Sequence, residues 1–136
     1  MTVAAKEFRY TIELDRAGRV TADGASPLDF DAAWTPEHLV LAGLVRCTLQ
    51  SLRFHAAPLG LDFLAKASAS AVVTRRPEDG RYAFVEINVD LELELEPAPP
   101  PDKVAALVAK AERDCFVGAS LKPSPRYRWR VNGATL

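Results

Sequence analysis

Cysteine, histidine and methionine are scarce in this chain of 136 residues, which has two, two and one of them. With no CxxC and no clustered Cys/His pattern, a structural zinc site is not expected, and two cysteines in a reducing compartment are expected to be reduced, catalytic or merely buried, not a structural disulfide. No cofactor is expected. Neither His38 nor His55 makes a convincing general base. The formal net charge of −1, with no segment that concentrates Lys and Arg, argues against a nucleic-acid partner. Met1 to Asp15 lacks the apolar core of a signal peptide, so a cytoplasmic location is expected. The longest apolar segment, Thr35 to Ala57, is interrupted by Glu37, Arg46, Gln50, Arg53 and His55, which are costly in hydrocarbon; no membrane anchor is expected. Internal repeats and interdomain linkers are also lacking, and the length suits one domain over residues 1–136.

What is present is organised around that apolar segment. Thr35 suits an N-cap, Pro36 the first helical position, and Glu37 the positive end of the helix dipole. Leu39, Val40, Leu41, Leu44, Val45, Leu49, Leu52 and Phe54 spread over more than one face. The pattern predicts a long helix packed on several sides, at the centre of the fold or in a subunit interface. Ahead of it, Phe8, Tyr10, Ile12 and Leu14 alternate with polar residues as in a half-buried strand. Arg19 to Ala22 and a short piece at Pro27 to Phe30 complete a meander. Behind it, Pro58-Leu59-Gly60 breaks the pattern, and Phe63 to Arg76 reads as a strand with Ala65, Ala67, Ala69 and Ala71 on one face.

Val85 to Glu96 is the clearest strand, with Val85, Ile87, Val89, Leu91, Leu93 and Leu95 opposite a face carrying five acids. The prolines at 97 and 99–101 lead into a second helix, where Val104, Leu107, Val108, Ala111 and Cys115 share one side and Gly118 suits the end. A last strand sets Tyr127, Trp129 and Val131 against Arg126, Arg128 and Arg130. That basic face would pair with the acidic one. The order of elements makes the fold α+β.

Two thiols on inward helix faces have a plain reading as small buried hydrophobes. They could also meet and react. Cys47 lies too deep in its helix to feel the dipole at Thr35, so a reactive Cys47 needs a cation. Here the chain resembles the OsmC/Ohr family, the osmotically inducible and organic hydroperoxide resistance proteins. That family carries an NPEELL- or NPEQLF-like helix start with a cysteine ten residues after the glutamate. The chain has Thr35-Pro36-Glu37-His38-Leu39 and then Cys47 at the same interval, a second cysteine at Cys115 within Ala111 to Leu121, and a closing strand. Asp15-Arg16-Ala17-Gly18-Arg19 resembles the family's GGRDGR turn. The chain departs from the pattern at Phe116, where many members have proline, at Thr48, where phenylalanine is common, and at Arg46, where a small residue is usual. It looks more like the broad OsmC-like group than the Ohr subgroup.

The resemblance implies an OsmC-like fold, with an antiparallel sheet, a long central helix and a second helix, in an intertwined homodimer. It implies a thiol-dependent peroxidase that reduces organic hydroperoxides. Cys47 would be the peroxidatic thiolate and Cys115 the resolving thiol. Arg16 would lower the Cys47 pKa with Glu37 holding its guanidinium, and a small dithiol or a lipoylated protein would reduce the disulfide. Ten helical residues rise about 15 Å, so Glu37 and Arg16 would reach the thiol from the second subunit. Each also has a plain reading, Glu37 as a first-turn acid and Arg16 as a solvated turn residue. Arg46 points about 100° away from Cys47 around the helix. Two alternatives stand beside the enzyme: a non-enzymatic OsmC-like protein binding an apolar small molecule, and a redox sensor with slow turnover.

Overall fold

The computed structural model describes residues 4–136 and divides the chain into two compact units, Met1–Thr35 and Pro36–Leu136. In the first, β1 (Ile12–Leu14) and β2 (Val20–Ala22) form a hairpin with Leu14 opposite Val20. Its turn is built by Asp15, whose carboxylate accepts from the Ala17 and Arg19 amides at 2.9 Å each, and by Gly18 at φ +85°. The expected strand shrinks to three residues, and the expected third strand is a single bridge from Leu28 to Val20.

The second unit begins with α1 (Pro36–Ala56), a helix of 21 residues with proline in its first position. A 3-10 turn at Ala57–Leu59 and Gly60 at φ +70° then reverse the chain. Next, β3 (Asp62–Arg75) and β4 (Tyr82–Glu96) run antiparallel over their full length. The pairing steps from Val72–Glu86 to Val73–Phe84 and leaves Val85 as a bulge. The chain crosses over through α2 (Pro101–Arg113) and α3 (Phe116–Ser120) so that β5 (Arg126–Val131) joins β4 in parallel. A tight turn at Asn132 and Gly133, both at positive φ, adds β6 (Ala134–Thr135), giving the sheet order β3-β4-β5-β6. The fold is α+β, as expected.

The core is one cluster in which Leu44, Leu52 and Ala56 of α1 meet Ile87, Val89, Leu91, Leu93 and Leu95 of β4. Val104, Leu107, Val108 and Ala111 of α2 and Trp129 and Val131 of β5 complete it. Only one stripe of α1 is buried, at Leu44, Thr48, Ser51, Leu52 and Ala56, while Phe54 is 74% exposed. The several-sided burial expected for this helix is therefore not met within the chain. On the outer face, the parallel register sets Asn88, Asp90 and Glu92 opposite Arg126, Arg128 and Arg130, with Arg128 Nε 2.7 Å from Asp90. Among the described residues no helix is long and apolar enough to cross a membrane.

These two kinds of contact differ in weight. Leu44 has no exposure at all, so Leu44→Ala should lower stability by about 3 kcal/mol. Arg128 is 84% exposed, so Arg128→Ala should cost less than about 1 kcal/mol. Urea unfolding of both variants checks the contrast.

Candidate functional site

Cys47 and Cys115 are brought together, and both are free thiols. Cys47 lies on a half-buried face of α1. Cys115 reaches it by a local route that differs from the expected one, because α2 ends at Arg113 and does not continue to Gly118. Asp114 leaves helical geometry at φ −97°, ψ 13°, and Cys115 is extended at φ −76°, ψ 107°. Its thiol becomes the N-cap of α3, accepting from the Gly118 amide at 3.3 Å. The Val117 amide of the same turn donates to Cys47 Sγ at 3.5 Å.

The surroundings of Cys115 are polar although no solvent reaches it. Thr48, also without exposure, donates its hydroxyl to the Leu44 carbonyl at 2.9 Å. The same oxygen lies 3.5 Å from Cys115 Sγ and 3.5 Å from the Tyr127 hydroxyl. A Cβ on Gly118 would fall 2.7 Å from the Tyr127 hydroxyl and 3.3 Å from Cys115 Sγ. Only glycine fits there without displacing a neighbour.

The turn that carries Cys115 is tied down on two sides. His55 Nε2 of α1 lies 2.7 Å from Asp114, which Arg113 also grips with two nitrogens at 2.9 Å. Trp129 Nε1 of β5 donates to Glu112 at 2.7 Å. Arg113, more than His55, holds the Asp114 carboxyl at about 2 against an ordinary 3.8. Burial pushes the Cys47 thiol up; the Val117 amide opposes this and Cys115 adds to it. After burial, the leading influences come from residues 115–117, none of which is a cation.

The other expected site residues are surface residues of their own elements. Glu37 is exposed in the first turn of α1, about 15 Å along the helix from Cys47. Arg16 is exposed in the β1–β2 turn of the N-terminal unit. Arg46 is exposed on α1, and Arg53 lies over the Phe63 ring at 5.0 Å. The pattern did not single out Thr48 or Tyr127 for the site; the signal was a hydroxyl next to Cys47 on a mostly apolar stripe.

The family model described as OsmC-like protein matches residues 29–130. The chain belongs to the OsmC-like family. Solved structures of the family share its fold at low identity. An OsmC-like protein from Mycoplasma pneumoniae is 17% identical with a TM-score of 0.65, covering 95% of this chain and 98% of that one. The organic hydroperoxide resistance protein OhrB of Bacillus subtilis is 21% identical with a TM-score of 0.55, covering 91% and 96%. An OsmC-like protein of unknown function from Vibrio cholerae is 12% identical with a TM-score of 0.71, covering 92% and 99%. No curated protein matches the sequence.

Gly118→Ala should destabilise the protein by about 1 to 3 kcal/mol through overpacking. Tyr127→Phe should recover part of that loss, which a double-mutant cycle in urea would measure. Separately, Asp114 titrates lower in the folded protein than in the unfolded chain. Its contribution is therefore complete above pH 3.8 and lost as pH falls through about 2. Asp114→Asn should flatten that part of the acid limb of urea midpoint against pH.

Proposed function

We propose that this OsmC-like protein is a cysteine-based peroxidase that reduces organic hydroperoxides. The supporting observation is the pairing of a half-buried thiol with one that has no exposure, on separate elements and within reach of each other. A peroxide can approach Cys47 and not Cys115, so Cys47 takes the peroxidatic role. Its thiolate attacks one peroxide oxygen and the O–O bond breaks. The alkoxide leaves as an alcohol after taking a proton from solvent, and Cys47 becomes a sulfenic acid. Cys115 then displaces hydroxide to give a disulfide, which a small dithiol or a lipoylated protein reduces by exchange.

The electrostatics add a requirement. Burial favours the neutral Cys47 thiol, so the reaction needs a cation beyond residues 115–117. Arg16 is the proposed source, oriented by Glu37, both from the second subunit of a homodimer. The uncovered apolar face of α1, with Phe54 exposed, supports an assembly that buries it. The raised Cys47 thiol also favours a second reading, a redox sensor whose disulfide forms with slow turnover.

The test is loss of cumene hydroperoxide in the presence of a dithiol. Cys47→Ser should abolish enzyme-dependent loss, and Arg16→Ala should slow it roughly 10²-fold. Mixing the two variants under conditions that exchange subunits should restore activity, because the mixed dimer joins an intact Cys47 to the partner's intact arginine. Loss no faster than with the dithiol alone, across several organic peroxides, would remove the peroxidase. A single rapid oxidation followed by slow turnover would favour the sensor.

A further inference from the structure

We propose that the hydroxyls of Thr48 and Tyr127, with the Gly118 amide, form a cradle that positions Cys115 and receives its thiolate as it attacks modified Cys47. The proposal rests on the assignment of Cys115 as the resolving thiol. In that step Cys115 loses its proton and its sulfur bonds to Cys47 Sγ as the S–O bond of the sulfenic acid breaks. The departing hydroxide combines with the released proton to form water. The oxidant is the sulfenic acid left by the hydroperoxide.

The geometry argues for the cradle because water cannot stabilise an anion at an atom with no exposure, so the protein must supply donors. Three are in place. The Gly118 amide already points at Sγ from 3.3 Å. Thr48 Oγ1 stands 3.5 Å away and can redirect its proton from the Leu44 carbonyl by rotating about one bond, with no movement of heavy atoms. The Leu44 carbonyl retains its place in the backbone ladder of α1. The Tyr127 hydroxyl lies 3.5 Å from Thr48 Oγ1, and Cys115 is among the groups that raise its pKa. A bond to a thiolate is stronger than one to a thiol, so these donors gain in strength as the charge develops.

The facing charges leave the cradle free to act. Tyr127 is pushed up to about 12, chiefly by burial, and so remains a donor through neutral pH. Glu112 is engaged by Trp129, and Asp114 by Arg113 and His55. Cys47 is the remaining titratable neighbour from α1, and its modified sulfur is the electrophile.

The main arm of the test needs no peroxide. In the full-length protein, Cys47 is converted to its mixed disulfide with thionitrobenzoate, and attack by Cys115 is followed by release of the coloured thiolate. Thr48→Val should slow release roughly tenfold or more and move its pH profile upward, Thr48→Ser should restore both, and Tyr127→Phe should slow it less. Release at the wild-type rate and pH profile in both Thr48→Val and Tyr127→Phe would overturn the cradle. Equal slowing in Thr48→Val and Thr48→Ser with an unmoved pH profile would also overturn it, leaving Thr48 as packing. One equivalent of cumene hydroperoxide is tested in parallel on the wild type. If it produces no sulfenic acid while the release series behaves as expected, the peroxidase fails and the cradle stands.

Discussion

The site depends on a helix that stops at Arg113, two residues before Cys115. Had α2 continued through Asp114, Cys115 would lie on a regular turn and would not cap α3, so no cap would draw Gly118 and Val117 toward the two sulfurs. The stop is held in place by side chains. Asp114 binds back to His55 of α1, while Glu112 binds forward to Trp129 of β5. Because both anchors belong to elements already fixed in the core, the position of Cys115 relative to Cys47 is set by the whole α1–α2–β5 packing.

The sheet supplies the complementary constraint. β4 buries alternate apolar residues beneath α1 and α2, and its outer face carries acids that meet the arginines of β5 in register. The charge pairs are exposed and contribute little energy. Their value is in alignment, because a slip of β5 by one residue would place Tyr127 and Trp129 on the solvent side. Tyr127 would then be lost from the Cys115 cluster, and Trp129 from Glu112. The exposed charge ladder and the buried thiol site thus share one register.

Much of this was legible in the sequence where periodicity is strong. The extent of α1, the two long strands and the acidic and basic faces follow from repeats of 3.6 and 2 that the core enforces. The weak points lie where local and tertiary terms compete. Phe8 and Tyr10 alternate like strand residues yet fall outside the three-residue β1. Val104 to Cys115 keeps helical spacing beyond the point where the backbone leaves the helix, so burial of Cys115 was predicted for a different structural reason. Gly118 has the look of a helix terminator, but it lies inside α3 because Tyr127 and Cys115 leave no room for a side chain. Glu37 and Arg16 were legible only through resemblance, since neither a first-turn acid nor a turn arginine declares a role by its spacing.

Thr48 is where these threads meet. On sequence it is a polar residue within the buried stripe of α1, and its hydroxyl is satisfied by the Leu44 carbonyl in a common helical manner. That bond makes the residue tolerable in a core, and it leaves the oxygen's remaining capacity directed at Cys115 and Tyr127. An apolar residue of similar size would pack as well against Leu44 and Leu52 and would spare the desolvation of a hydroxyl. Stability alone therefore gives little reason for threonine here. The arrangement is accounted for if the buried thiol must pass through a charged state, because a donor that can turn toward sulfur stabilises that state more than the resting one.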